Sequence, residues 1–206
     1  MTTAKNPTPR KVKDNDYELV QGINSGAIER FQELVERYDQ KLYNFSLRMC
    51  RDASDAEDLV QETFLNVFRY INSFRYETKF KNWLYKIAAN SCIKKRRKSK
   101  FAPERELSLD EFTPQNESEI PDKVPEWAQR PLDKVLNHEL RDNINQAIVA
   151  LPEKYRVVMV LRDLEGFSTD ETAQILNLSE SNVKVRLHRA RLFLRNELKG
   201  YFKNDE

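Results

Sequence analysis

Residues 168 to 195 read STDETAQILNLSESNVKVRLHRARLFLR, and this stretch decides the fold of the C-terminal part of the chain. Ser168 is followed three places later by Glu171, which is the capping box that marks the start of a helix. Asn177 can adopt the left-handed backbone that ends a helix, and Ser179 can cap a second helix almost at once. The pattern predicts a helix, a tight turn and a second helix.

The second of these helices carries two neighbouring stripes. Its apolar stripe, which we expect to be buried, consists of Val183, Leu187, Ala190 and Leu194. The basic stripe repeats the same spacing one position later, is expected to face solvent, and consists of Lys184, His188, Arg191 and Arg195. A helix-turn-helix places such a helix in the major groove of DNA. We therefore expect DNA binding, with the alternative that a C-terminal amphipathic helix simply exposes arginines.

The roles of the basic residues can be divided further. The candidates for contact with base edges are Lys184, His188 and Arg189, whereas Arg186, Arg191 and Arg195 are expected to contact phosphate or to brace the domain. Upstream, an apolar stripe from Leu136 to Leu151 predicts a further helix, and Pro152 begins another.

The N-terminal half is also helical in pattern. Apolar residues recur at helical spacing between Ile28 and Met49, and a second helix is expected to open at Ser54 and Asp55. Its predicted buried stripe consists of Ala56, Leu59, Val60, Thr63, Phe64, Val67, Phe68 and Ile71. The helical spacing of apolar residues breaks off between Phe74 and Lys81, which predicts a loop. A third helix is expected from about Asn82.

Residues 101 to 131 differ from both flanks. They hold five of the eight prolines, namely Pro103, Pro114, Pro121, Pro125 and Pro131, and acidic residues outnumber basic ones. Such a segment cannot form a compact core and predicts a linker. The chain is therefore predicted to be all-α, with a disordered basic leader (residues 1–15), an N-terminal domain (16–100), the acidic linker (101–131) and a C-terminal helix-turn-helix domain (132–206).

The third helix ends in a basic run in which every residue from Lys94 to Lys100 except Ser99 is basic. Cationic side chains beside aromatic rings suit the phosphates and unstacked bases of single-stranded nucleic acid. The neighbouring rings are Phe74, Tyr76, Phe80, Trp83 and Tyr85. Phe80 and Trp83 are more typical of a core, so Tyr76 is expected to be the exposed ring.

Several classes of protein are excluded or disfavoured. The net charge of the 206 residues is only +2, so the total by itself does not indicate nucleic-acid binding. Cys50 and Cys92 lack metal-ligand spacing, and no phosphate-binding glycine loop or nucleophile motif occurs. We expect no enzyme activity, no catalytic residue, no metal and no cofactor. The sequence has no secretory signal or membrane-spanning run, which predicts a cytoplasmic protein without membrane insertion.

Four stretches resemble bacterial RNA polymerase sigma factors of the extracytoplasmic-function (ECF) subfamily. DAEDLVQETF (55–64) is similar to the helix that binds the clamp helices of the polymerase beta-prime subunit, and FKNWLYKIAAN (80–90) to the stretch that recognises and melts the minus-ten element. ALPEKYR (150–156) and VKVRLHRAR (183–191) resemble the domain that reads the minus-thirty-five element. The order and spacing of these stretches match those of the family from about Asp16 to Leu198. The short linker between the two halves fits only this subfamily.

The resemblance implies a set of functional residues. Contacts with core polymerase are implied for Asp58, Gln61 and Glu62. Contacts with the minus-ten DNA, including capture of a flipped base, are implied for Arg75, Tyr76, Lys79, Lys81, Asn90, Lys94, Lys95, Arg96, Arg97 and Lys98. Contacts with the minus-thirty-five DNA are implied for Asn182, Lys184, Val185, Arg186, His188, Arg189 and Arg191. Asn182 and Val185 depart from the residues common at their positions.

The resemblance also implies partners. They are core RNA polymerase, through its beta-prime clamp and beta flap, promoter DNA, and an anti-sigma factor, with no small-molecule substrate. The linker would either thread the RNA exit path of polymerase or act as a solvated tether. The rival interpretations are a stand-alone helix-turn-helix regulator, which would not bind core polymerase, and a nucleic-acid enzyme, which would need an acidic or metal-bearing cluster.

Overall fold

The computed structural model describes residues 11–50, 52–98 and 138–202, and all regular structure in these ranges is helical. The N-terminal half forms α1 (Tyr17–Asn24), α2 (Arg30–Cys50), α3 (Ala53–Tyr70), a 3-10 turn (Ile71–Ser73) and α4 (Phe80–Lys98). The C-terminal half forms α5 (His138–Ala150), α6 (Glu153–Met159), a π-helical stretch (Val160–Leu164), α7 (Thr169–Leu176) and α8 (Glu180–Phe202). The all-α fold is confirmed. The linker predicted over residues 101–131 lies outside the described residues.

The first half is built around α2, α3 and α4, which contact one another. The predicted buried stripe of α3 is correct except at Phe68, which is 49% exposed. Phe68 lies near the C-terminal end of α3 and packs edge-on against Phe31, with ring centroids 5.1 Å apart. The N-cap of α3 is Asp52, not Ser54 or Asp55, because the Asp52 carboxylate accepts a hydrogen bond from the Asp55 amide.

Two boundaries in the first half differ from the sequence prediction. Helix α1 was not expected, and residues 11 to 15, which we had placed in the leader, instead contact the loop that precedes α4. Helix α4 begins at Phe80 and not at Asn82, because the Asp14 carboxylate accepts the Phe80 amide at 2.6 Å. A cap supplied from so far along the chain leaves no local sequence signal.

In the second half, the capping signals are all present. Ser168 and Glu171 form the reciprocal capping box of α7, and Asn177 ends that helix with φ 55° and ψ 49°. The Ser179 hydroxyl accepts a hydrogen bond from the Asn182 amide at the start of α8. The predicted apolar stripe of α8 is buried. The helix-turn-helix is therefore confirmed.

The relative placement of the two halves was left open by the sequence. In the structure α4 packs against α7, and α2 packs against α5 and α6. The buried apolar side chains of both halves form one continuous cluster. Across the junction, the Arg156 guanidinium is fully buried and donates hydrogen bonds to Leu151 O in its own half and to Met49 O in the other.

Candidate polymerase and nucleic-acid interfaces

One face of α3 carries exposed polar side chains. Asp58, Gln61 and Glu62 point to solvent because the opposite side of the helix supplies the core. The Lys95 ammonium of α4 lies 2.7 Å from the Asp55 carboxylate and 3.3 Å from that of Asp58. The hydrogen bond to Asp55 raises the pKa of Lys95. Lys95, which the resemblance assigned to DNA, is therefore ion-paired beside the acidic face of α3.

The loop between the 3-10 turn and α4 is held by aromatic packing. Tyr76 has a positive φ of 60°. Its ring lies 4.8 Å from that of Phe74 and 5.1 Å from that of Tyr17, and its hydroxyl accepts a hydrogen bond from Asn24. Burial raises the pKa of Tyr76. Tyr76 is half-buried, as is Trp83, whereas Phe74, Phe80 and Tyr85 are buried, so Tyr76 is one of the two more exposed rings of the set.

A polar cleft of about 510 Å³ opens beside this loop. The N-terminal half lines it with residues that include Arg75, Glu77, Trp83 and Lys86, and the C-terminal half contributes Gln174 and Asn177. Arg75 and Lys86 are exposed and Trp83 is half-buried. An aromatic face beside cationic side chains can hold an unstacked base and its phosphate. Trp83 packs against the core, as the sequence favoured, and it also lines this cleft.

Two lysines of the predicted minus-ten site contact the C-terminal half. The Lys79 ammonium lies 2.9 Å from the Glu171 carboxylate. Lys81 donates to Glu165 O at 2.9 Å and lies over the Phe167 ring, 4.3 Å from its centroid. Burial lowers the pKa of Lys81. In this arrangement the C-terminal half partly buries Lys81, whereas Lys79 is ion-paired but remains exposed.

Further contacts strengthen the same junction. The Tyr85 hydroxyl lies 2.5 Å from the Glu165 carboxylate, and the rings of Tyr85 and Phe167 lie 4.9 Å apart. Arg48 approaches Glu165 to 3.8 Å. Glu165 therefore joins α2 and α4 to the segment that follows the π-helical stretch, and no pattern in the sequence indicated this role.

The remaining predicted minus-ten residues lie farther along α4. Asn90 and Lys94 are exposed on this helix. Arg96, Arg97 and Lys98 belong to its last turn, and their side chains lie outside the described part of the structure.

The helix-turn-helix presents a second, shallower concavity of about 410 Å³. Four of the predicted upstream-element residues line it, namely Asn182, Val185, Arg186 and Arg189. The sequence analysis missed Lys154, Tyr155, Ser179 and Ser181, which line it as well. Lys154 and Tyr155 follow the Pro152 cap of α6, so their approach to α8 depends on tertiary packing. The Tyr155 hydroxyl accepts a hydrogen bond from Arg189 at 3.5 Å.

The basic stripe of α8 divides into residues with different surroundings. Lys184 and His188 are partly exposed. Burial, together with the charge of Arg191, lowers the pKa of His188, which favours the neutral ring, and a neutral ring suits a base edge better than a phosphate. Burial likewise lowers the pKa of Arg186, whose guanidinium nevertheless stays charged at neutral pH.

Arg191 braces the domain. Its guanidinium forms two hydrogen bonds to the Asp163 carboxylate, at 2.9 and 2.7 Å, and the Asp163 side chain is only 1% exposed. Of the two roles that the sequence left open for Arg191, phosphate contact or bracing, the structure shows bracing. Arg195, one turn later, is exposed.

Two kinds of feature are missing from residues 11–50, 52–98 and 138–202. No group of three or more histidine, cysteine or acidic side chains in these ranges could hold a metal ion. No helix within them combines the length and the apolar character that crossing a membrane requires.

Comparison with known proteins yields two family profiles. The profile of Sigma-70 region 2 matches residues 34–101, and that of Sigma-70 region 4 matches residues 141–194. The ECF RNA polymerase sigma factor SigW of Bacillus subtilis is 35% identical over 182 residues, which covers 87% of this chain and 95% of the relative. The ECF RNA polymerase sigma-E factor of Escherichia coli is 31% identical over 185 residues, covering 89% and 94%.

Solved structures show the same fold. CnrH, in complex with the cytosolic domain of CnrY, matches with a TM-score of 0.64 at 24% identity and covers 91% of this chain and 99% of that chain. The sigma factor RpoE of Bartonella quintana, in complex with the anti-sigma factor NepR, matches with a TM-score of 0.60 at 24% identity and covers 82% and 96%.

Proposed function

The chain belongs to the ECF family of RNA polymerase sigma factors, which direct transcription initiation, and from this premise we propose how its surfaces divide that work. Sigma factors are non-enzymatic initiation factors, so the surfaces described above bind and position other molecules. The acidic face of α3 binds core polymerase, the loop and cleft before α4 take the melted minus-ten strand, and α8 reads the minus-thirty-five duplex.

The α3 face suits a protein partner because it is already exposed. Asp58, Gln61 and Glu62 lie on a rigid helix that packs firmly against the core through its other side. The carboxylates of Asp58 and Glu62 can pair with basic side chains of the beta-prime clamp, and the Gln61 amide can form hydrogen bonds with it. The neighbouring Lys95 would exchange its partners on binding, and such exposed pairs cost little to break.

The loop and cleft suit an unpaired base. Opening a duplex costs a few kcal/mol per unstacked base, and a pocket that holds the flipped base supplies the compensating free energy. Trp83 offers a ring face, and Arg75, Lys86 and Lys94 offer charges for the strand's phosphates. This cleft is the observation that carries the proposed melting function.

The second domain fits duplex recognition. Lys184, Val185, His188 and Arg189 lie on the part of α8 that enters the groove, and Lys154 and Arg186 supply phosphate contacts at its edge. The beta flap of polymerase would hold this domain at the upstream element. Because the two DNA contacts are linked, each raises the effective concentration of the other.

Promoter binding requires the two halves to separate. In the free chain, the C-terminal half engages the exposed Lys79 in an ion pair, partly buries Lys81 and shares the walls of the cleft. We propose that polymerase binding favours an open form, in which these lysines reach the DNA.

The further partner is an anti-sigma factor. The relative from Bartonella quintana was solved with one, and we propose that a comparable protein covers the α3 face or the cleft here. We also propose that the protein acts in the cytoplasm, where polymerase and promoter DNA meet.

The decisive experiment combines binding with initiation. We expect Asp58→Lys with Glu62→Lys to weaken binding to core polymerase at least tenfold, because two attractive contacts become repulsive. In run-off transcription on a cognate promoter, found by sequencing transcripts made with added core polymerase, activity should fall in parallel. Glu36→Lys with Asp39→Lys, which changes exposed charges on α2, is the matched control. Failure of the wild-type protein to bind core polymerase would overturn the proposal.

A further inference from the structure

The segment of residues 11 to 16, called the strap below, lies along the loop that precedes α4. The Val12 amide donates a hydrogen bond to Tyr76 O at 2.7 Å. The Asp14 carboxylate accepts from the Phe80 amide at 2.6 Å and, with its other oxygen, from the Asp16 amide at 3.1 Å. The strap therefore holds the loop at two points, Tyr76 in its middle and Phe80 at its end.

These contacts fix a loop that would otherwise be poorly determined. The first amides of a helix have no partner within it, and here Asp14, 66 residues upstream, caps the first turn of α4. Tyr76 adopts a positive φ of 60°, which a residue with a Cβ rarely adopts unless its surroundings hold it there. The hydrogen bond from the Val12 amide to the Tyr76 carbonyl helps to hold the backbone of Tyr76 in this conformation.

The strap itself is firmly anchored. Asp16 is 5% exposed, and its carboxylate accepts from the Tyr38 hydroxyl at 2.5 Å and from Arg37 at 2.6 Å. Both partners belong to α2. Through these contacts the strap fixes the position of the loop relative to α2, the central helix of the domain.

From this geometry we infer that the strap sets the shape of the base-capturing loop, with Asp14 as a positioning residue that acts through the start of α4. The inference rests on the proposed role of the loop and cleft in holding a flipped base. Neither Asp14 nor its hydrogen-bond partner Phe80 is among the residues that line the cleft.

The test uses holoenzyme made from the full chain and core polymerase. Its ligands are single-stranded non-template oligonucleotides of the minus-ten element, taken from a mapped promoter, with an abasic site at each position in turn. The readout is the affinity ratio between the intact strand and the strand lacking the captured base. Asp14→Ala should lower this ratio about fivefold, the factor that corresponds to a lost helix cap. Asp14→Asn should keep most of the ratio, because an amide oxygen can still accept the Phe80 amide.

Two further variants keep the result interpretable. Val12→Pro removes the donor to Tyr76 O and should lower the ratio in the same direction, so it decides the matter if Asp14→Ala does not fold. Asp52→Ala removes the cap of α3, away from the loop, and should lower thermal stability while leaving the ratio unchanged.

The failures are distinguishable. An unchanged ratio in Val12→Pro and Asp14→Ala, or an equal fall in Asp52→Ala, would overturn the role of the strap. A wild-type holoenzyme that is insensitive to every abasic site would overturn base capture itself, and the inference with it.

Discussion

The basic side chains of α8 have different roles although they lie in one stripe. Arg191 binds the buried Asp163 carboxylate, whereas Arg195 is exposed. Removing one partner of a buried ion pair leaves the other charge without compensation. We expect Arg191→Ala to lower the free energy of unfolding by about 3 kcal/mol, measured by urea denaturation. Arg195→Ala, the control, should change it by less than about 0.5 kcal/mol, and equal effects would contradict the bracing role.

Lys184 and His188, which are partly exposed, are the candidates for contact with base edges. Replacing both by alanine should relax the preference for the upstream element by about 1–3 kcal/mol per lost base contact, because each contact distinguishes one base pair. Competition between promoter variants, with holoenzyme as the binder, measures this. Arg195→Ala should weaken binding to all of the variants to a similar degree. An unchanged ranking in the double variant would count against the assignment of α8 as the reading helix.

The helix ends within the helix-turn-helix were the most predictable elements. Ser168, Glu171, Asn177 and Ser179 act through near neighbours, so their signals lie in the local sequence, and the structure places each as expected. Asn177→Ala should lower the free energy of unfolding by about 1 kcal/mol because alanine tolerates the left-handed backbone poorly. Asn177→Gly should be nearly neutral, and equal urea midpoints for the two variants would contradict this explanation.

Elements that depend on distant partners were predicted less well. The start of α4 depends on Asp14, and the role of Glu165 depends on Tyr85 and Arg48. Periodicity cannot reveal such contacts, since it reports which side of a helix is buried and not what covers it. For the same reason the sequence assigned Arg191 to DNA contact or bracing without deciding, and left Lys154 and Tyr155 out of the second concavity.

The cap of α7 also gives the element a defined response to acid. Burial alone would raise the pKa of Glu171, but hydrogen bonds from the Ser168 amide, Lys79 and Asn82 outweigh it and lower the pKa from 4.5 to about 2. The stabilisation from ionised Glu171 is therefore present above about pH 4.5 and is lost as the pH falls through about 2.

Glu171→Gln should flatten the dependence of unfolding free energy on pH within this window, because glutamine cannot titrate. Chemical denaturation at a series of pH values measures it. Lys79→Met, which removes one of the three stabilising partners, should give an intermediate slope. If the unfolding free energies of the wild type and Glu171→Gln changed with pH in the same way, Glu171 would not be the group that titrates in this window.

At the scale of the whole molecule, the two halves are held together by contacts that salt can weaken. Raising the ionic strength from 0.1 to 1 M shortens the screening length from about 10 to about 3 Å. With dyes attached at the exposed positions Asp39 and Glu197, we expect energy transfer to decrease as salt rises and to decrease further when core polymerase is added. Lys79→Gln with Glu165→Gln should begin from lower transfer and respond less to salt. Transfer unchanged by polymerase would contradict separation of the halves.

The junction between the halves relies heavily on charged groups, among them the Arg156 guanidinium against a carbonyl of the other half and the Glu165 carboxylate against a phenol. Groups of this kind regain water readily once they part. Separation also divides the apolar cluster that the two halves share, so the open form exposes hydrophobic surface, and exposed apolar patches promote association between proteins. The open form is therefore expected to need a partner that covers this surface, and core polymerase is the partner proposed above.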